Sequence, residues 1–210
     1  MADIQAITYN NGKNLLVGCT NKSGSSSAIA MLAYPLLGEI KYRDQRRPLM
    51  MQRKWKECHL HQIQNQAEKT FPVRIAIIRD PVERFISAYK DRVKQRNKDS
   101  TREWVTDFDF FINNIDYIRS RSRDIRNHTQ SQTVSLGSNP AFYTDIILTK
   151  DIDTKLKQKI EEVSQVSNVP TPREKNSDRI AQVVPTADHV KQIKKLFEDD
   201  YRVWGNYFNS

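Results

Sequence analysis

Residues 73–90, VRIAIIRDPVERFISAYK, constrain the fold of this chain more than any other stretch. Val73 to Ile78 form a short apolar run rich in β-branched residues, the pattern of a strand buried on both faces in a parallel sheet. Arg79 and Asp80 end the run. Pro81 then sits where a helix can start, because the first helical residue needs no partner for its N–H. From there Val82, Phe85, Ile86, Tyr89 and Val93 recur at helical spacing and make one apolar face. The spacing therefore predicts an arginine at the carboxyl end of a strand with a helix leaving directly after it. In open α/β sheets that edge is where ligands bind. Arg79 needs an anionic partner there, and Ser87 offers a hydroxyl two turns into the helix. A guanidinium fork plus a hydroxyl suits a phosphate. The competing reading pairs Arg79 with Asp80 or Glu83 and only closes the helix N-terminus.

A second stretch repeats the theme. Asn14 to Cys19, NLLVGC, reads as the first strand; Thr20 to Ser27, TNKSGSSS, is a small-residue loop. AIAMLAYPLL then reads as a mostly buried helix ended near Pro35 and Gly38. Strand, small-residue loop and helix cradle phosphate, because the backbone N–H groups at a helix start point at the anion. Lys22 adds a positive charge. The loop is not a Walker A sequence, which requires G-x-x-x-x-G-K-[ST], since Lys22 precedes Gly24. A flexible serine-rich turn is the competing reading, but it leaves unexplained the position between a strand and a buried helix.

The chain has 210 residues, the length of one domain, 1–210, with a sizeable core. No apolar run approaches the roughly 20 residues that cross a bilayer. MADIQAITYNN lacks a basic start followed by an apolar stretch, which sets the expectation of a cytoplasmic protein with no signal peptide. Two cysteines, Cys19 and Cys58, are too few for a secreted disulfide framework and read as buried thiols. With His59 and His61 they lack zinc-finger spacing, and no metal-ligand cluster is visible. The net charge of +9 favours anionic partners: a phosphorylated cofactor, an acidic polysaccharide or nucleic acid. No nucleic-acid module is recognised, and solubility alone is the competing explanation. The basic residues are densest in 43–56 and 119–126.

Further strands are expected near 57–62 and 143–149, giving an α/β fold: three-layer α/β/α with a central parallel sheet that also contains 14–19 and 73–79. Trp55 to Ile63 alternates weakly, so His59 and His61 fall on one face of the 57–62 strand, followed by a short helix over 64–69. Residues 38–56 could form a flap over a substrate, and 94–106 read as a surface loop. Phe108 to Ile118 and 151–166 read as helices with apolar faces. A last helix is expected after Pro185, carrying Val190, Ile193, Leu196, Phe197, Tyr201 and Trp204; His189 opens it and is expected at the surface.

RDPVERFISAY resembles the 3′-phosphate-binding motif of the sulfotransferases that use 3′-phosphoadenosine 5′-phosphosulfate, closest to the branch that sulfates carbohydrate hydroxyls, R-[DE]-P-x-x-R-x-x-S-x-[YF]. Arg79, Asp80, Pro81, Arg84, Ser87 and Tyr89 fill its positions. K-S-G-S-S-S resembles the family's 5′-phosphosulfate loop, P-K-x-G-[ST]-[ST]-[ST], with Asn21 where proline is usual. HTQSQ (128–132) resembles a His-x-x-x-Gln segment that follows the 3′-phosphate helix. Asn176-Ser177 resembles a late loop that closes over the nucleotide, and the ending, an acidic pair, an aromatic, then W-G-N-Y, is also similar. The animal carbohydrate enzymes are anchored in the Golgi membrane, and no anchor is seen in these residues; the expectation is a cytosolic microbial or viral enzyme, the alternative being that an anchor has been removed from the sequence.

The resemblance implies a P-loop-NTPase-like sulfotransferase fold and sulfuryl transfer to a hydroxyl acceptor. It makes 3′-phosphoadenosine 5′-phosphosulfate the donor, adenosine 3′,5′-bisphosphate the product, and a carbohydrate or other anionic substrate the partner. Lys22 would stabilise the leaving group. Ser23, Gly24, Ser25, Ser26 and Ser27 would hold the 5′-phosphate, Arg79 and Ser87 the 3′-phosphate, and Ser177 the nucleotide. Histidine suits proton removal near neutral pH, so the base is sought among His61, His59 and His128, in that order, because related uronosyl 2-O-sulfotransferases use a strand-borne histidine. No metal is required. The alternatives are a P-loop-type nucleotide kinase, which would bind ATP with Mg²⁺, and a non-catalytic basic polyanion-binding module, which would not bind the adenosine bisphosphate.

Overall fold

The computed structural model describes residues 4–39, 55–58, 60–94, 107–172 and 183–208. They divide into two compact units, 1–78 with 134–174 and 79–133 with 175–210.

The first unit is built on a five-stranded sheet. Its strands are β1 (Ile4–Thr8), β2 (Asn14–Cys19), β3 (Trp55–Cys58), β4 (Val73–Ile78) and β5 (Asp145–Leu148), in the order β3-β1-β2-β4-β5. β2, β4 and β5 pair in parallel; β1 pairs antiparallel with both β2 and β3. Four strands thus run one way, as the α/β expectation requires, and β1 is the strand that the sequence reading lacked. It reaches β2 through a five-residue turn in which Gly12 has φ 78° and donates from its N–H to Tyr9 O at 3.0 Å. The Asn11-Gly12 pair, followed by an apolar strand, was the legible hairpin signal.

On one face of the sheet Ile7, Leu15, Val17, Cys19, Ile75, Ile77 and Ile147 form a hydrophobic core with α1 (Ser25–Leu37) and with Leu156, Ile160 and Val163. Six consecutive residues of α1, Ala28 to Ala33, are buried, which explains its nearly uniform apolarity. Pro35 does not end α1: it stands within the last turn, and the helix closes at Gly38, whose N–H donates to Tyr34 O at 2.8 Å. The 151–166 segment forms a π-turn (Ile152–Leu156) continued by α8 (Lys157–Ser164), with the expected four apolar residues inward.

One correction bears on function. The predicted strand over 57–62 stops at Cys58, and α2 (Leu60–Thr70) begins at once. Leu60, Ile63 and Ala67 recur at helical spacing, and the Leu-His-Gln-Ile-Gln run holds one β-branched residue, so helical periodicity wins. His61 therefore lies on a helix, while His59, like 40–54, 95–106 and Ser177, lies outside the described residues.

The second unit is helical among its described residues: α3 (Pro81–Tyr89), a π-turn (Lys90–Lys94), α4 (Phe108–Asn113), α5 (Ile115–Arg121), α6 (Arg123–Thr129), α9 (Ala187–Leu196) and α10 (Glu198–Phe208). Between the two units' segments runs α7 (Gln132–Leu136). The single helix expected over 108–118 is broken at Asn114, whose Nδ2 donates to Phe110 O at 2.9 Å in competition with the helical ladder. The final helix is likewise two, parted at Phe197, which leaves helical geometry (φ −115°, ψ 31°) and is buried. Phe85, Tyr89, Phe108, Phe111 and Phe197 pack edge-on or tilted with centroids 5.0–6.2 Å apart, each pair contributing about 0.5–1.5 kcal/mol beyond its buried area. Among the described residues no helix is long and apolar enough to cross a membrane.

Candidate functional site

In the first unit, β2 delivers the chain into a tight loop, Thr20 to Gly24, and straight into α1. Ser25, Ser26 and Ser27 are the first turn of α1 rather than loop. Two loop residues are left-handed: Lys22 at φ 67° and Gly24 at φ 77°. For a lysine this conformation costs about 1–2 kcal/mol, the kind of strain that persists where a loop is over-determined for function. The fold holds it through buried Thr20 and Ser23, whose hydroxyls share a 2.9 Å hydrogen bond, and through the Ser23 N–H donating to Thr20 O at 3.2 Å. Gly24 is the N-cap, no side chain caps α1, and its first turn carries no acidic residue. The first-turn amides of a helix have no partner within the helix, and with the positive end of the dipole they suit an anion. β2 and β4 are parallel neighbours with Cys19 opposite Ile77, so the two strands that carry the motifs end side by side in the sheet.

In the second unit the six motif residues divide by role. Asp80 caps α3, accepting from the N–H groups of Val82 (2.9 Å) and Glu83 (3.2 Å), and Pro81 occupies the first turn. Arg84, only 1% exposed, donates to the carbonyls of His128 (3.5 Å) and Gln130 and lies over the Phe197 ring at 5.3 Å. Tyr89 is core; burial, then the Asp107 charge, push its hydroxyl up to about 12. Arg79 and Ser87 remain partly exposed. Arg79 Nε donates to Glu83 Oε2 at 3.2 Å, with the two side chains 28% and 66% exposed. Residues 79, 83 and 87 stand four apart, so Ser87 follows Glu83 along one face of α3. The ion pair read from sequence as the competing explanation is present, but a pair this exposed contributes about 0–1 kcal/mol, less than the charge-assisted bonds a phosphate offers.

Two of the four histidines have described side chains, both in the second unit. His128 is buried on α6; its Nδ1 donates to Asp124 O at 2.8 Å, and its Nε2 accepts from the Arg92 guanidinium. Both ring nitrogens are thereby engaged. His189 is in a capping box, accepting at Nδ1 from the Thr186 N–H (3.2 Å) and meeting Asp109 Oδ1 through Nε2 at 2.5 Å. It is more enclosed than the sequence suggested.

The sequence reading assigned no role to the residues that hold Arg79. Gln132, fully buried, accepts at Oε1 from the Arg79 N–H and donates from Nε2 to Arg79 O, both at 2.9 Å. The HTQSQ segment was the signal that marked it.

The largely parallel sheet flanked by helices, with a strand-loop-helix at β2 and α1, defines an α/β protein. Compared with known families, residues 5–207 match the sulfotransferase family, and the chain belongs to it. It is an enzyme of sulfuryl transfer, which sets aside the kinase and the non-catalytic readings. No curated protein and no solved structure matches the chain.

Proposed function

We propose that this sulfotransferase takes its sulfuryl group from 3′-phosphoadenosine 5′-phosphosulfate and passes it to a hydroxyl, on a carbohydrate, by in-line displacement. The family match spans residues of both units, so both belong to one catalytic domain, 1–210, in this reading. The observation that carries it is the uncapped start of α1, entered through left-handed Lys22 and Gly24. The backbone amides of Gly24 to Ser27, with one or more of the serine hydroxyls, hold the 5′-phosphate, Ser23 bracing the loop through Thr20, and Arg79 with Ser87 holds the 3′-phosphate. The acceptor oxygen forms its bond to sulfur as the bond from sulfur to the bridging oxygen breaks. The negative charge appears on that oxygen, where the Lys22 ammonium stabilises it. The acceptor's proton goes to a histidine. With both nitrogens of His128 and of His189 engaged, His61 is the residue we assign, and His59 is its alternative. The acceptor is read as polyhydroxylated or anionic from the net charge of +9.

The test has two arms. Adenosine 3′,5′-bisphosphate should raise the melting temperature, because a ligand that binds only the folded form stabilises it by about 2.7 kcal/mol at one hundred times its dissociation constant. Incubation with radiolabelled donor and a panel of acceptors should label carbohydrate; exclusive labelling of a lipid or a small alcohol would remove the sugar reading and leave the donor reading standing.

A further inference from the structure

Gln132 acts on Arg79 as a short β-bridge would, matching its N–H and its carbonyl with one carboxamide. Gln132 is itself fixed from α10. The Asp200 carboxylate, 0% exposed, accepts from the Gln132 N–H (2.9 Å), the Thr133 N–H (2.8 Å) and Ser131 Oγ (2.5 Å). The next residue, Tyr201, donates from its hydroxyl to Asp80 Oδ2 at 2.9 Å, leaving Asp80 Oδ1 to cap α3. Consecutive residues of one helix thus hold consecutive residues of the motif, Asp200 holding Arg79 through Gln132 and Tyr201 holding Asp80 directly. A buried carboxylate with three donors is costly to place unless each lone pair is used, and here the donors used are those that set the register of Gln132.

We propose that Gln132, Asp200 and Tyr201 are positioning residues for Arg79, so that the C-terminal helix preorganises the arginine that receives the 3′-phosphate. The inference rests on the reading of Arg79 given above. The backbone of Arg79 is clamped while its guanidinium keeps an exposed, weak ion pair that an incoming phosphate can replace. Fixing the backbone in advance removes ordering cost at the moment of binding.

The experiment is a double-mutant cycle on affinity for adenosine 3′,5′-bisphosphate, measured by calorimetry on the full chain. Tyr201→Phe removes one hydroxyl and keeps the ring packing; Gln132→Met is the second variant. Each should weaken binding roughly three- to tenfold, the equivalent of one lost hydrogen bond, and raise donor KM while leaving kcat within about twofold. In an Arg79→Ala background the same changes should have no further effect on affinity, whereas in a Lys22→Ala background they should add in full. A fall in melting temperature with unchanged affinity, or an equal loss with and without Arg79, would overturn the positioning role. Failure of Arg79→Ala alone to weaken binding would remove the reading beneath it and the inference together. Gln132→Met failing to fold leaves the Tyr201→Phe cycle to decide the question.

Discussion

A β-carbon at Gly24 would collide with Ile152 Cδ1 and stand 3.4 Å from Thr149 Cγ2. The residue that caps α1 is thus constrained twice, by its left-handed φ of 77° and by a side chain of the segment after β5. The expected cost of Gly24→Ala is about 2–4 kcal/mol, combining left-handed strain with overpacking. Ile152→Val removes the offending Cδ1 and by itself costs about 0.5–1.5 kcal/mol. The double variant should be more stable than the two single losses predict, by at least about 0.5 kcal/mol. Urea denaturation measures the three values; strict additivity would show that the loop relaxes away from Ile152.

Lys22 carries backbone strain that a glycine would not feel. Lys22→Gly should therefore fold with stability within about 1 kcal/mol of the parent, the relief of left-handed strain being offset by glycine's entropy. It should bind adenosine 3′,5′-bisphosphate within roughly tenfold and lose on the order of 10²–10³ in turnover, as expected for removing one preorganised charge-stabilising donor. Lys22→Arg should rescue little, because a planar fork does not replace a compact ammonium. Parent-like turnover in Lys22→Gly would take the lysine out of the mechanism.

Arg79→Ala separates the ion pair from the ligand. Its partner Glu83 is 66% exposed, so the loss in stability should be about 0–1 kcal/mol. Affinity for the adenosine bisphosphate should fall by about 1.5–3 kcal/mol, the range for hydrogen bonds to charged groups. Glu83→Gln should leave that affinity equal or improve it, since it weakens the ion pair that competes with the ligand. A drop in stability without a drop in affinity would show that the arginine only closes α3.

The histidines should part by pH. A base must be unprotonated, so the parent rate should fall as pH is lowered through the base's titration. His61→Ala should lose that acidic limb and most of its turnover while binding nucleotide normally. His128→Ala should instead cost about 1–3 kcal/mol of stability by removing one buried hydrogen-bond partner from Arg92 and one from the Asp124 carbonyl, and should keep the shape of the rate profile. If His61→Ala keeps the acidic limb and His59→Ala loses it, the base moves by two residues and the rest of the reading stands.

Local chemistry was enough for much of this. An apolar β-branched run next to Arg-Asp-Pro states strand, cap and helix start in adjacent residues, and β4, the Asp80 cap and α3 appear where those residues put them. The loop from Thr20 to Gly24 was legible because glycine, serine and lysine between two apolar segments have few other uses. By contrast, β1 went unassigned because five residues say little until their partners are known: Ile4 to Thr8 become a strand through ladders to β2 and β3, the second of which lies some fifty residues away. His61 was misplaced for the same reason in reverse. A weak alternation in 55–63 looked like one strand, and the helical face of Leu60, Ile63 and Ala67 prevailed from Leu60 onward. Side-chain chemistry and spacing along one strand and one helix were enough to nominate Lys22, Arg79 and Ser87 for a phosphate before any fold was known. Which motif residues turn inward became visible on folding: Arg84 is as charged as Arg79, yet it is buried against Phe197 and two carbonyls. Only the tertiary structure brought Gln132 and Asp200, 53 and 121 residues beyond Arg79, to hold its backbone. Hydrogen bonds between buried groups so far apart in the chain leave no periodic trace in the sequence.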